Sequence, residues 1–530
     1  MGFKIPDIFI NPLFLSRPHG QNHVCGCLSR TSGRDTLIQM ADGLAELLSE
    51  FQDRGELLRV TAEVQPDFEI AEITDRICQS MAPSPAVLFE RVAGASCPVV
   101  TNLLGSEWRA CRSLGIGSLD EGVLRLKSLT EPGRAESWLD KLRHVTQGSL
   151  SRPFEPQTVR HAPCQQVVRL GRDIDLADLP FLRSWPRERL RSWTHSHLHL
   201  RKPDSSSTIT GRLEVLVRDE HSLLIPFQTF DQFFPTWHDS RLASQRVEVA
   251  VTLGGHPCNF LAQAALLPPG WNPLAVAGLW RGAPLEQVKC RTIELEVPAQ
   301  AELVLEGYVD PQDEPERLGP RAGPGGCYRT RGVGLVMHLT AVTQRANPAA
   351  PICIYSRFSH EEYWINQTVM RLGLPLIQKL LPEVSDWSAP RSGSRQNTLF
   401  VAIRKCRPRH ARQVLSALWG LAPQLMTRLI IVVDEGVNVH DADAVWRSVA
   451  VHCEPGRDTT TYSGPADTPD PGVPGSESTS ALGMDATRKW PGEDAPEGGP
   501  EDLVMTFDIQ ELVTNRWQDY GFPTGTRPAW

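Results

Sequence analysis

No C-x-x-C pair occurs in these 530 residues, and the 12 cysteines stand singly apart from Cys25 and Cys27. Neither a zinc ribbon nor a disulfide framework is indicated, and buried thiols in a reducing, cytoplasmic setting are expected. No apolar run approaches the roughly 20 residues needed to cross a bilayer. The start, "MGFKIPDIF", has Gly2 but Pro6 where a myristoylation signal wants Ser or Thr, so residues 1–35 read as an extension. A basic stripe is also missing: 54 Lys and Arg are interspersed with 62 Asp and Glu, for a net charge of −8. Phosphate-backbone binding needs clustered cations, so nucleic acid is not an expected partner. "GPGG" at 323–326 is followed by neither Gly-Lys-Ser/Thr nor a helix start, so it is not a phosphate loop.

What is present is the composition of an ordinary globular protein, 41% hydrophobic and 22% charged, in a chain too long for one core. Residues 36–160 open with "TLIQMADGLAELLSEFQDRGELLRV", a helix from Thr36 that breaks at Gly55 into a strand. "FEIAEITDRICQSM" is a second amphipathic helix with Ile70, Ile73 and Ile77 on one stripe. Residues 161–345 change to short strands with turn signals, such as "WTHSHLHLR", "TITGRLEVLVRD" and "ELVLEGYVD", the pattern of a barrel or sandwich. Residues 346–530 return to strand–helix alternation, with helices near 361–381, 409–420 and 441–450. The Pro-, Gly-, Ser- and Thr-rich stretch 455–481 reads as a mobile loop, and "VMTFDIQELVTNRWQDYGF" as a terminal helix able to reach a partner subunit.

Five ordered motifs carry a resemblance: "GELLRVTAEVQPDFEIAEITDR", "PAVLFERVAGASCPVVTNLLGSEWRACRSLG", "LEVPAQAELVLEGYVDP", "IIVVDEGVNVHD" and "ALGMDATRKWPGE". Together they resemble the UbiD family of prenylated-FMN-dependent decarboxylases. The resemblance implies a multidomain α+β and α/β fold: an N-terminal α/β domain, a central split β-barrel of flavin-reductase-like kind that holds the flavin, and a C-terminal α/β domain. It also implies non-oxidative decarboxylation of an aromatic or α,β-unsaturated acid, a flavin prenyltransferase supplying the cofactor, a divalent metal on the flavin phosphate, and homo-oligomers.

In this sequence the family's functional positions carry other residues. Aligned on Gly319, Pro320 and Tyr328, the two catalytic acids of the family loop fall on Leu318 and Gly323. Aligned on Gly211, the substrate arginine falls on Glu214, and the metal-ligand asparagine, histidine and glutamate fall on Ile209, Phe230 and Pro273. Arg212 lies two residues from Glu214, hence on the same strand face, and a two-residue slip would let it hold a carboxylate. Arg404 and Lys405 occupy the region of the family's phosphate lysine, and Gly211 keeps the flavin-side glycine.

Three further sets come from the residues themselves. His195, His197 and His199 alternate along one strand about 7 Å apart, either a replacement metal site or a solvated barrel face. Glu302 and Glu306 share a strand face and read as polar residues at a barrel rim. Cys327 has no histidine partner in the sequence around it, which argues against a nucleophile. The functions consistent with these residues are a decarboxylase rebuilt around Arg212 and Glu214, a non-catalytic subunit of a hetero-oligomer with an active relative, or a repurposed small-molecule pocket.

Overall fold

The computed structural model describes residues 43–81, 83–130, 154–201, 208–227, 233–265, 267, 271–330, 332–358, 360–391, 398–421, 428–465, 478–494, 500 and 503–521. Three of the five β-sheets among them organise the chain. The N-terminal sheet runs β1 (Leu57–Val64), β2 (Ala86–Val92), β3 (Val99–Thr101), then β17 (Ala350–Pro351), a strand from far along the chain. The helix Leu44–Asp53 buries Leu44, Leu47, Leu48 and Phe51 in one core, while the helix Glu69–Ser80 buries Ile70 against the barrel core. Ile73 and Ile77 pack there too, as the helical stripe requires. The expected start at Thr36 lies outside the described residues.

The central sheet closes on itself. Strands β12 (Leu303–Val309), β9 (Val247–Leu253), β6 (Ser192–Arg201), β7 (Thr208–Asp219), β8 (Ser222–Phe227) and β16 (Val333–Gln344) pair antiparallel in that order, and β16 pairs back to β12. Closure removes the free edges that a flat sheet would expose. Alternation decides which side each residue takes. Ile209, Leu213, Val215 and Val217 of β7 join Leu198 and Leu200 of β6 in the apolar lumen. Arg212 and Glu214 therefore face outward, on the same side, as expected from their spacing.

The outward face of the barrel is not solvated. The helices Pro257–Ala264 and His360–Leu380 and the segment after β17 cover it, so His195, His197 and His199 are 5%, 1% and 0% exposed. The solvated-face reading of this row is thereby corrected. Glu302 and Glu306 are likewise buried, not at a rim. Glu306 accepts hydrogen bonds from the Arg291 and Thr292 backbone N–H groups and the Thr292 hydroxyl, which anchors a turn. Glu302 accepts from the Ala349 N–H and lies 3.8 Å from Arg345.

Burial raises the Glu302 carboxyl from the ordinary 4.5 to about 7. The folded chain therefore binds a proton there that the unfolded chain has lost, and stability drawn from Glu302 is full below about 4.5 and lost as pH rises through about 7. Glu302→Gln should flatten the decline in the urea midpoint across that window; an unchanged profile would show that Glu302 titrates normally in the fold.

The C-terminal sheet has the order β18 (Val384–Ser388), β19 (Thr398–Ile403), β20 (Leu429–Asp434), β22 (Ser478–Asp485), β21 (Thr459–Pro465). The helices His360–Leu380, His410–Leu421 and Ala442–His452 match the expected positions. The 455–481 stretch is not simply a loop: Thr459 to Pro465 pair with Ser478 to Met484 as the sheet's edge, and residues 466–477 lie outside the described set. Among the described residues no helix is long and apolar enough to cross a membrane.

Candidate functional site

Two ion pairs line the outward face of the barrel. Arg212 Nη1 lies 3.1 Å from Glu362 Oε1, and His195 Nε2 lies 2.7 Å from the same oxygen. Glu362 comes from the first turn of the helix His360–Leu380, whose N-terminus favours a carboxylate. Burial pushes His195 down to about 4, so its neutral ring donates to Glu362. Burial opposes the charged form of Glu362 as well, but Arg212 and His195 together hold it below the ordinary glutamate range. Phe260 covers the pair, its ring 4.4 Å from that of His195 and 5.6 Å from the Arg212 guanidinium carbon.

The second pair joins Glu214 to Arg321 at 2.7 Å, with side-chain exposures of 10% and 5%. Arg321 belongs to the short hairpin of β14 (Arg321–Ala322) and β15 (Tyr328–Arg329), where it sits directly opposite Arg329. Two like charges facing across a ladder repel unless anions lie nearby. Glu214 meets Arg321, but Arg329 has no hydrogen bond and no ion pair among the described residues. Burial, and also the Arg321 charge, pull the Arg329 guanidinium below the ordinary arginine range. Glu188 holds the hairpin in place by accepting from the N–H groups of Ser184, Trp185 and Ala322. A small crevice, about 10 Å³, opens between Glu188, Glu214, Gly319, Pro320 and Arg321.

The remaining expected positions fall as follows. Leu318 is buried with Leu216, Leu224 and Val336, an apolar plug. Gly323 is confined: a Cβ there would lie 3.0 Å from Arg329 Nε and 3.1 Å from the Cys327 carbonyl oxygen. Gly211 forms barrel wall opposite Leu198. Ile209 packs on the apolar lumen, Pro273 opens the helix Pro273–Arg281, and Phe230 lies outside the described residues. Ile209 and Pro273 offer no donor atom, so the residues present do not fit the metal that would clamp a flavin phosphate.

Arg404 and Lys405 are both engaged in the C-terminal part of the chain. Arg404 is exposed and pairs with Glu435, and Lys405 is buried against Glu493 at 2.6 Å while also donating to the Arg488 carbonyl and the Thr487 hydroxyl. The histidine row is not one ligand set. His195 joins Cys353 and Glu362, with ligand atoms within 4.8 Å of one another, whereas His197 and His199 fall outside that group.

Sequence reasoning missed Glu188, Arg321, Arg329, Cys353, Glu361 and Glu362. The one available signal was "HEEYW", two adjacent acids in a first helical turn, which are 6% and 3% exposed. Glu361 accepts from the Leu104 N–H, and burial lifts its carboxyl to about 7.

Comparison with known proteins places this arrangement. Residues 48–125, 157–357 and 363–486 match the N-terminal, Rift-related and C-terminal domains of the family described as 3-octaprenyl-4-hydroxybenzoate carboxy-lyase, UbiD. An uncharacterized protein of Aquifex aeolicus is 32% identical over 485 residues, covering 90% of this chain and 98% of its own. The Sedimentibacter hydroxybenzoicus vanillic acid decarboxylase, in closed form, superposes with a TM-score of 0.78 at 21% identity, over 92% of this chain and 100% of that one. An evolved dimeric form of the UbiD-class enzyme HmfF from Pelotomaculum thermopropionicum, in complex with prFMN, superposes at 0.70 with 24% identity, over 89% and 98%. The α/β fold with its closed central barrel is thus shared with these proteins, and the chain belongs to the UbiD family.

Proposed function

We propose that this chain binds a small organic acid between the barrel and the Arg321–Arg329 hairpin, without the family's flavin-phosphate clamp, and holds that acid as one subunit of an assembly with a cofactor-bearing relative. The observation that carries the reading is Arg329, a guanidinium that has no hydrogen bond or ion pair among the described residues and lies beside the Glu214–Arg321 pair. The strand residue at the family's arginine position is an acid and the hairpin supplies the arginines, so the charge pattern is inverted. A carboxylate would offset the two facing guanidiniums, whose donors form a rigid fork suited to it.

The terminal helix Phe507–Asn515 suits the assembly: Ile509 and Leu512, one turn apart, and Phe507 at its start are exposed apolar side chains that a second copy or a related subunit would cover. The ten described cysteines are all unbridged, which suits a cytoplasmic location.

Calorimetric titration with benzoate tests the site. Binding is expected with Kd on the order of 10 µM to 1 mM, and Arg329→Gln should weaken it at least about tenfold, roughly 1.4 kcal/mol. No heat, or equal heat from the variant, would refute the site.

A second reading, a carboxy-lyase in its own right, is favoured by Glu361, whose carboxyl at about 7 could exchange a proton near neutral pH. The two readings part on whether the chain takes up prenylated flavin.

A further inference from the structure

We propose that His195, Cys353 and Glu362 form a metal-binding site for a zinc-class divalent cation, distinct from the aligned positions Ile209, Phe230 and Pro273 and independent of the organic-acid reading. The three residues come from β6, from the segment after β17 and from the start of the helix His360–Leu380, so the fold brings them together from separate parts of the chain. Each offers one ligand atom within 4.8 Å of the others, and their exposures are 5%, 1% and 3%. A tetrahedral ion with bonds of about 2.0 to 2.3 Å separates its ligands by roughly 3.3 to 3.8 Å, so separations of up to 4.8 Å close while His195 and Glu362 exchange their 2.7 Å hydrogen bond for the metal. Imidazole nitrogen, thiolate sulfur and carboxylate oxygen together select zinc or cobalt over magnesium or calcium, which take oxygen alone.

A second observation points to a missing guest. The cavity beside these residues, about 30 Å³, is lined by His195, Cys353 and Glu361 together with His197. His197 is 1% exposed, and among the described residues neither of its ring nitrogens has a hydrogen-bond partner. A buried imidazole left unpaired is costly, and a bound group on the cavity side removes that cost. Three protein ligands leave a fourth position open, where a water on the metal would meet His197.

Ligation adds a single positive charge to the site, since a dication enters and one thiol proton leaves. Glu362 is already ionised and already next to Arg212, which lies 3.1 Å away. On ligation the Cys353 thiol releases its proton to solvent, and the new thiolate joins Glu362 against the incoming dication. The Glu362 carboxylate is then shared between Arg212 and the metal, which keeps the guanidinium paired.

Cobalt titration of chelator-stripped protein tests the proposal. One equivalent should bind, with a thiolate-to-cobalt band in the near ultraviolet and the visible absorption of a tetrahedral site, and one equivalent of zinc should displace it. Cys353→Ser should abolish the near-ultraviolet band and weaken binding at least about tenfold, whereas Cys406→Ser, at an exposed thiol, should leave both unchanged. Should Cys353→Ser fail to fold, His195→Gln carries the test, with a loss of about tenfold or more in cobalt affinity. Substoichiometric binding, or a band that survives in Cys353→Ser, would mean that the cavity holds water only and would overturn the assignment.

Discussion

Glu362→Ala should cost the chelator-treated protein about 3–5 kcal/mol, the largest loss expected from any single change at the barrel face. The carboxylate serves two groups at once, Arg212 at 3.1 Å and His195 at 2.7 Å, and all three side chains are less than a tenth exposed. Removing it leaves a guanidinium buried without its counter-charge and a ring N–H without an acceptor. Such a loss is set by the penalty on the groups left behind, not by the strength of the bond removed. The double replacement Arg212→Met with Glu362→Leu removes both charges and should recover most of the loss, a coupling of more than about 2 kcal/mol. Urea unfolding of the four proteins measures the cycle. If the two single changes simply add, Arg212 and Glu362 are not an energetic pair.

Arg329→Met should do the opposite. An arginine facing Arg321 across a two-strand hairpin, with no hydrogen bond or ion pair of its own among the described residues, has only the longer-range pull of Tyr355, Glu214 and Glu362 to set against its burial. Replacing it with an apolar side chain of similar length should raise stability by about 1 kcal/mol and abolish the stabilisation that an aromatic carboxylate confers. The pairing of these two signs is what marks a binding residue: sites that hold a ligand charge are commonly destabilised without it. A destabilised variant would instead mean that Arg329 serves the fold. A variant that still gains stability from the acid would remove it from the site.

The fold was largely legible because its signals are local. Alternation in "TITGRLEVLVRD" places Leu213, Val215 and Val217 inward and Arg212 and Glu214 outward, and that is how β7 sits. Helical spacing likewise located the helices His410–Leu421 and Ala442–His452. The site was less legible because its contacts are not local. Arg212 meets a residue 150 positions away and Glu214 one 107 positions away, separations that no window of sequence reports.

The histidine row illustrates the same limit. Alternating polar residues on a strand look solvated until distant helices cover them, as the segments holding Phe260 and Glu362 do here. Composition misled once in the other direction. Between 455 and 481 the Pro, Gly and Ser content suggested a loop, yet Thr459, Thr460, Thr461 and Tyr462 are good strand formers and pair with β22. The motif "DATRKW" is held by its own contacts: Thr487 donates to Asp485, and Lys489 lies 3.0 Å from Asp485.

Ile209 and Pro273, which the resemblance aligns with the family's cofactor clamp, carry hydrocarbon side chains, and the outer barrel face of this UbiD-family chain carries two buried arginine–acid pairs. The most direct test is the visible spectrum and intact mass spectrum of the full chain expressed together with a flavin prenyltransferase. A colourless protein carrying no prenylated FMN is the predicted result. A protein that purifies with one equivalent of the prenylated flavin would contradict it.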